Sequence, residues 1–204
     1  MYFLFAPLLR LLLRVKLRGG ENIPTEGGAV LAINHISFLD VLAVSCVFPR
    51  KRLPRYLAKR ELFGIPLLSP VIRGLGAIPL DRGGSDVGAI RRAISVAAGG
   101  ELLSVFPQGT RQKGKNPAAT PIKSGVAMIA HRAGVPVLPV CIKVKNNRYA
   151  FLRRVEILVG KPLSLAELSL SEESPDYRAA AERAFFAVCS LGGYYPLAQE
   201  EATE

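Results

Sequence analysis

Along the chain, short apolar runs alternate with amphipathic stretches from Gly28 onward. Strands are expected at Ala29 to Ile33, Tyr56 to Ala58, Ala77 to Leu80, Leu102 to Phe106, Val135 to Ile142 and Val155 to Val159, where Val, Ile, Leu and aromatics concentrate. Between them the pattern changes to helical spacing. Phe38 to Val47 follows Ser37 as a cap, and Asp86 to Ala98 runs from Ser85 to the Gly99-Gly100 stop. A last helix, Asp176 to Leu191, follows Ser174-Pro175 and ends at Gly192-Gly193. Strands alternating with helices predict an α/β fold: a single domain with a largely parallel mixed sheet flanked by helices.

The first residues break this pattern. Met1 to Leu13 is mostly Leu, Phe and Tyr, but Arg10 interrupts it and Arg14, Lys16 and Arg18 follow. The run is too short to span a bilayer, and its charge order is the reverse of a signal peptide's. Residues 1–14 therefore read as a segment lying in the interface of an anionic leaflet. The competing reading is a first helix packed on the domain's own core. Residues 15–196 form the domain itself, and 197–204 a disordered tail.

Charge narrows the partners. With 27 Lys and Arg against 16 Asp and Glu, the chain carries a formal charge of +11. Anionic partners are favoured, namely acidic lipid, phosphorylated metabolites or an acidic carrier protein. Nucleic acid is not expected, because Trp is absent and the other aromatics sit in apolar stretches rather than in a stacking platform. Cys46, Cys141 and Cys189 are odd in number and set among apolar residues, as buried free thiols are. Neither a metal site nor a nucleotide cofactor is expected, since no His/Cys cluster has zinc spacing and Gly74-Leu-Gly76 lacks a phosphate-loop pattern.

Three polar segments follow three of the expected strands. They are Asn34-His35, Asp81-Arg82 and Pro107-Gln-Gly-Thr-Arg111, at the carboxyl ends where open α/β sheets bind ligands. Pro121-Ile-Lys-Ser-Gly125 opens a further helix and adds Lys123. One histidine among cations suits acyl transfer to a phosphate-bearing hydroxyl compound: neutral imidazole removes the hydroxyl proton while Arg and Lys hold the phosphate. A carboxylate would orient the ring, and Asp40 is the candidate. Five residues on a regular helix are about 140° apart, so the pair can meet only if His35 lies in the turn before the helix. Ser37-x-x-Asp40 is equally a capping-box pattern, which leaves a purely structural reading of Asp40 open. The other histidine, His131, reads as an ordinary helix residue near a C-terminus. Arg91-Arg92 and Lys113-Gly-Lys115 read as solvated charge.

Asn34-His35 with Asp40 resembles the His-x4-Asp motif of the glycerol-3-phosphate and 1-acylglycerol-3-phosphate acyltransferase family. Gly76-Ala-Ile-Pro-Leu-Asp-Arg82, Phe106-Pro-Gln-Gly-Thr-Arg111 and Val135-Pro-Val-Leu-Pro139 resemble its second, third and fourth motifs, in family order. The resemblance implies a glycerol-3-phosphate acyltransferase-like fold, with His35 as general base and Asp40 as its partner. Arg82 and Arg111 would bind the acceptor phosphate, Gly109 and Thr110 would shape that loop, and Lys123 would add a further cation. The fourth motif would form strand and acyl-site wall. Where the family commonly has Glu in the third motif, this chain has Gln108, which keeps hydrogen-bonding capacity and loses the charge.

The resemblance implies acyl transfer from acyl-CoA or acyl-carrier protein to a lysophospholipid acceptor, 1-acylglycerol 3-phosphate first. Phosphatidic acid would form on the cytoplasmic side of a membrane, with the protein held peripherally or monotopically. Other lysolipids, glycerol 3-phosphate, or a non-catalytic lipid-binding module are the alternatives.

Overall fold

A computed structural model describes residues 7, 10–81, 86–150, 153–171 and 173–195. Seven strands form one sheet in the order β1-β7-β6-β2-β5-β3-β4. They are β1 (Val15–Arg18), β2 (Ala29–Ile33), β3 (Arg55–Lys59), β4 (Ile78–Leu80), β5 (Leu102–Val105), β6 (Val137–Val144) and β7 (Val155–Val159). All neighbouring pairs are parallel except β6 with β7. The expected single-domain, largely parallel α/β architecture is the one found.

Strand β2 explains why the middle of the sheet reads as unbroken apolar sequence. All five of its residues are buried, as expected where both faces are covered. Val30 and Ala32 face one core with the long helices, while Ala29, Leu31 and Ile33 face a second core containing Ala43, Val44 and Phe48. Period-two alternation thus divides a uniformly apolar strand between two layers.

Among the described residues, helices α1 (Leu39–Ser45), α2 (Ser69–Gly74), α3 (Val87–Ala98), α4 (Gly125–Ala133) and α5 (Tyr177–Gly192) flank the sheet. Helix α3 buries Ala89, Ala93 and Ala97, four residues apart on one face. Its cap is Asp86, whose Oδ1 accepts from the Ala89 amide at 2.8 Å. Ser85, the cap expected from sequence, lies outside the described residues. Similarly Asp176 caps α5 through the Arg178 and Ala179 amides, at 2.8 and 3.0 Å, in place of Ser174. A carboxylate accepting two end-of-helix amides also meets the positive end of the helix dipole.

Strand β6 begins two residues later than expected because Val135 completes the end of α4. The Gly134 amide bonds to the His131 carbonyl and the Val135 amide to the Ala130 carbonyl, at 3.0 and 3.1 Å, with Gly134 left-handed at φ +67°. This is a Schellman turn.

Strand β1 was not expected. Its Val-Lys-Leu-Arg sequence puts Val15 and Leu17 inward and the two cations outward, a four-residue edge strand blunted by charge. Most of the interfacial segment expected at 1–14, and the 197–204 tail, lie outside the described residues. Of the part described, Leu13 packs on the second core, whereas Leu11 and Leu12 are exposed. All three cysteines are free and buried, and burial raises the Cys46 and Cys189 thiols to about 11.

Candidate active site

The site begins where β2 ends. Asn34 is buried, and its amide clamps β2 to β6: Nδ2 donates to the Ile142 carbonyl at 2.9 Å and Oδ1 accepts from the Ile142 amide at 2.7 Å. The next residue, His35, leaves the sheet with both backbone groups held by the third motif. Its amide donates to Gln108 Oε1 at 2.6 Å, and its carbonyl accepts from the Gln112 amide at 2.7 Å. The imidazole stacks on Phe106 with ring centroids 4.1 Å apart. Main chain and ring are therefore fixed before any substrate arrives.

His35 stands four residues ahead of the first residue of α1, which lets it meet Asp40. His35 Nδ1 lies 2.7 Å from Asp40 Oδ2. The same oxygen accepts from the Ile36 and Ser37 amides, at 2.7 and 2.9 Å. Both readings of Asp40 hold at once, since one carboxylate oxygen caps the helix start and orients the imidazole. The capping box is half formed, because Ser37 Oγ accepts from Leu39 rather than from Asp40. With its side chain 0% exposed, Asp40 makes all three of these contacts through one buried oxygen. A carboxylate can only accept, so the ring's proton sits on Nδ1 and Nε2 carries the free lone pair.

Asp40 Oδ1 and the Tyr149 hydroxyl are both buried without a hydrogen-bond partner among the described residues. Burial first, and the Asp40 carboxylate next, push the Tyr149 phenol well above its ordinary range, so it remains a donor. A donor and an acceptor of matching chemistry thus share one interior. Tyr149→Phe removes this donor from beside the Asp40 carboxylate; if the two close on each other during turnover, kcat is expected to fall roughly tenfold, the effect of one hydrogen bond to a charged group, with KM unchanged in steady-state assays. Full activity would remove Tyr149 from the site. Its sequence context carries no signal, because it is a Tyr in a loop 109 residues beyond Asp40.

Gln108 occupies the position where the family commonly has Glu. It is 5% exposed and uses both ends of its amide. Oε1 takes the His35 amide, and Nε2 donates at 2.6 Å to Thr120 Oγ1, whose own proton goes to the Pro117 carbonyl. A glutamate could keep the first contact, but its second oxygen would face the lone pairs of Thr120. Gln108→Glu is expected to destabilise the fold by roughly 1–3 kcal/mol, read as a lower urea midpoint. An unchanged midpoint would show that Thr120 turns its proton over to the carboxylate.

His35 opens onto a cleft of about 610 Å³. Its apolar walls come from Leu57, Val105, Ile90, Met128 and Ile129, on β3, β5, α3 and α4. The acyl-site wall expected from Val135 to Pro139 is not found there. Val137 and Leu138 lie inside the two cores, because β6 is the central partner of β2. Gly109, Thr110 and Lys123 line the same cleft as His35. Gly109 adopts φ +68°, and a Cβ on it would come within 3.3 Å of Lys123 Cε, so the bare glycine lets the lysine lie over the turn.

Arg111 is exposed and is not part of the cleft wall, and Arg82 lies outside the described residues. Arg132, unremarked in the sequence, does line the cleft. At its rim Arg60 holds Asp81 through Nε at 2.7 Å and approaches Asp86 at 3.9 Å. Hydrogen bonds from the Asp81 and Ala89 amides hold the Asp86 carboxyl below its ordinary range. His131 lies elsewhere, its Nδ1 2.9 Å from the Tyr177 hydroxyl where α4 meets α5.

A histidine in contact with a buried carboxylate thus stands at the carboxyl ends of a mostly parallel sheet, facing a cleft with apolar walls. The acyltransferase family model matches residues 14–143, and the chain belongs to that family and is an acyltransferase. It is 28% identical to the 1-acyl-sn-glycerol-3-phosphate acyltransferase of Bacillus subtilis strain 168, over 83% of this chain and 85% of that protein. It is 31% identical to the Borreliella burgdorferi protein of the same name, over 66% of this chain and about half, 53%, of that one. The crystal structure of the 1-acyl-sn-glycerophosphate (LPA) acyltransferase PlsC from Thermotoga maritima superposes with a TM-score of 0.67 at 25% identity, covering 94% of this chain and 81% of that one.

Proposed function

We propose that the protein transfers a fatty acyl group from acyl-CoA or acyl-carrier protein to the free hydroxyl of 1-acylglycerol 3-phosphate, giving phosphatidic acid. The observation that carries this is the 2.7 Å contact of His35 Nδ1 with buried Asp40, which leaves Nε2 as the base on a residue lining the apolar cleft. Nε2 takes the acceptor's hydroxyl proton as that oxygen attacks the thioester carbonyl. The carbon–sulfur bond breaks, and the imidazolium returns its proton to the departing thiolate. Asp40 stabilises the imidazolium in between. No covalent acyl-enzyme is needed.

Lys123, which lines His35's cleft beside Gly109 and Thr110, supplies positive charge for the acceptor phosphate, and Arg111 and Arg82 are the further cations proposed for it. The names of the relatives support lysophosphatidate as the acceptor. Among the described residues no helix is long and apolar enough to cross a membrane. The protein acts at the cytoplasmic surface of an anionic membrane, held by residues 1–14.

The test is a thiol-release assay with acyl-CoA or acyl-carrier protein and a panel of acceptors: 1-acylglycerol 3-phosphate, glycerol 3-phosphate and neutral-headgroup lysolipids. Thiol release with phosphatidic acid as product is expected, fastest with 1-acylglycerol 3-phosphate. No release with any pair, while the protein still binds lipid, would establish the non-catalytic module instead.

A further inference from the structure

The connection from β3 to β4 is apolar without being buried. It comprises a 3-10 turn at Arg60–Gly64 and helix α2, and neither contains a buried residue. None of the apolar side chains between Leu62 and Leu75 is buried. Leu67 is 90% exposed, with Ile65 and Val71 also open to solvent. Helix α3 of the same domain buries a full alanine stripe, so this lobe departs from the chain's own practice. An apolar surface of this kind marks a contact with something else.

Two observations say what that is. The first is charge: from Lys59 to Leu75 the chain holds three cations, Lys59, Arg60 and Arg73, and one acid, Glu61. Arg73 lies over the Phe63 ring, 5.3 Å from its centroid, in a hollow that Arg60 also lines. Apolar side chains with Arg60 and Arg73 beside them match an anionic bilayer surface, where the former enter the acyl region and the latter stay among headgroups. The same excess of positive charge opposes pairing of two such lobes. The second is position. The lobe leaves the carboxyl end of β3, the end of the sheet at which His35 leaves β2. Arg60 also ties it to Asp81 and Asp86, which line the catalytic cleft.

We infer that the Leu62–Leu75 lobe is a second membrane-docking element, inserting Ile65, Leu67 and Val71 into an anionic lipid surface and setting the mouth of the His35 cleft against the bilayer. It rests on the lipid-acceptor reading above. A bound lobe gives a single-chain phospholipid an apolar path from leaflet to cleft, past Leu80 and the exposed Val87 at the rim.

The chain contains no Trp, so one introduced indole reports alone. Leu67→Trp, in the full chain, is expected to shift its emission to the blue on vesicles of phosphatidylglycerol and phosphatidylcholine. Bromine-labelled acyl chains should quench it. Phe186→Trp, on the exposed face of α5, should do neither. Leu67→Glu should weaken partition into these vesicles severalfold while leaving turnover of a water-soluble short-chain acceptor unchanged. Unchanged emission from the Leu67→Trp variant on vesicles that bind it would mean that the N-terminal segment docks alone, and overturns the inference. So would a blue shift in concentrated lipid-free protein that sediments as a dimer, or one elicited only by an acidic acyl-carrier protein. If the introduced indole inserts but no donor and acceptor react, the docking element stands and the acyl-transfer reading falls.

Discussion

His35→Ala is expected to lower kcat for thiol release by about 10²- to 10⁴-fold, the usual contribution of a positioned general base. The fold should be retained, because the interactions that hold this residue's main chain survive the substitution. Its amide still reaches Gln108 and its carbonyl the Gln112 amide. The ring is 13% exposed and stacks only at the edge of the second core, on Phe106. Circular dichroism and the urea midpoint should therefore stay close to wild type while activity collapses. Substantial residual turnover in a folded variant would move the base to another group and remove the proposed mechanism.

Asp40→Asn separates two functions that share one oxygen. As an acceptor for the Ile36 and Ser37 amides, an amide oxygen can stand in for the carboxylate, so the loss of stability should stay within about 1 kcal/mol. As the partner of an imidazolium it is poor. The amide carries no charge, and its nitrogen can present a proton to Nδ1 and favour the wrong tautomer. In the serine-protease template the equivalent change lowers kcat by about 10⁴, and a loss of roughly 10²- to 10⁴-fold is expected here. Urea unfolding and the thiol-release rate, measured on the same preparation, decide the matter. Near-native activity with near-native stability would reduce Asp40 to a cap. Asp40→Ala is less informative, because losing the Ile36 and Ser37 contacts disturbs the turn that presents His35.

The second core also bears on how the site is supported. Asp40 and Tyr149 both adjoin it, and their buried polar atoms without partners are the places where a small displacement matters most. Replacements that loosen Val44 or Phe48, both buried there, are expected to disturb the setting of Asp40 as well as stability.

The order of strands and helices was legible in the sequence because apolar runs and cap residues are local signals. The contact of His35 with Asp40 was permitted by their spacing across a turn, but the same spacing fits a capping box, and only the family resemblance singled the pair out. Three segments following three strands also announced the end of the sheet at which chemistry sits. What the sequence could not determine depended on residues far apart in the chain meeting. Strand β1 is four residues long and becomes a strand only because β7 lies beside it. The fourth motif is apolar in either role, and its burial between β2 and β7 makes it core rather than cleft wall. Gln108 became intelligible through Thr120, a contact that no periodicity encodes, and the burial of Asp40 Oδ1 and the Tyr149 hydroxyl is likewise invisible in the sequence. Local patterning reports how each segment is built, whereas long-range packing alone decides which polar atoms are buried together, and hence how His35 is held.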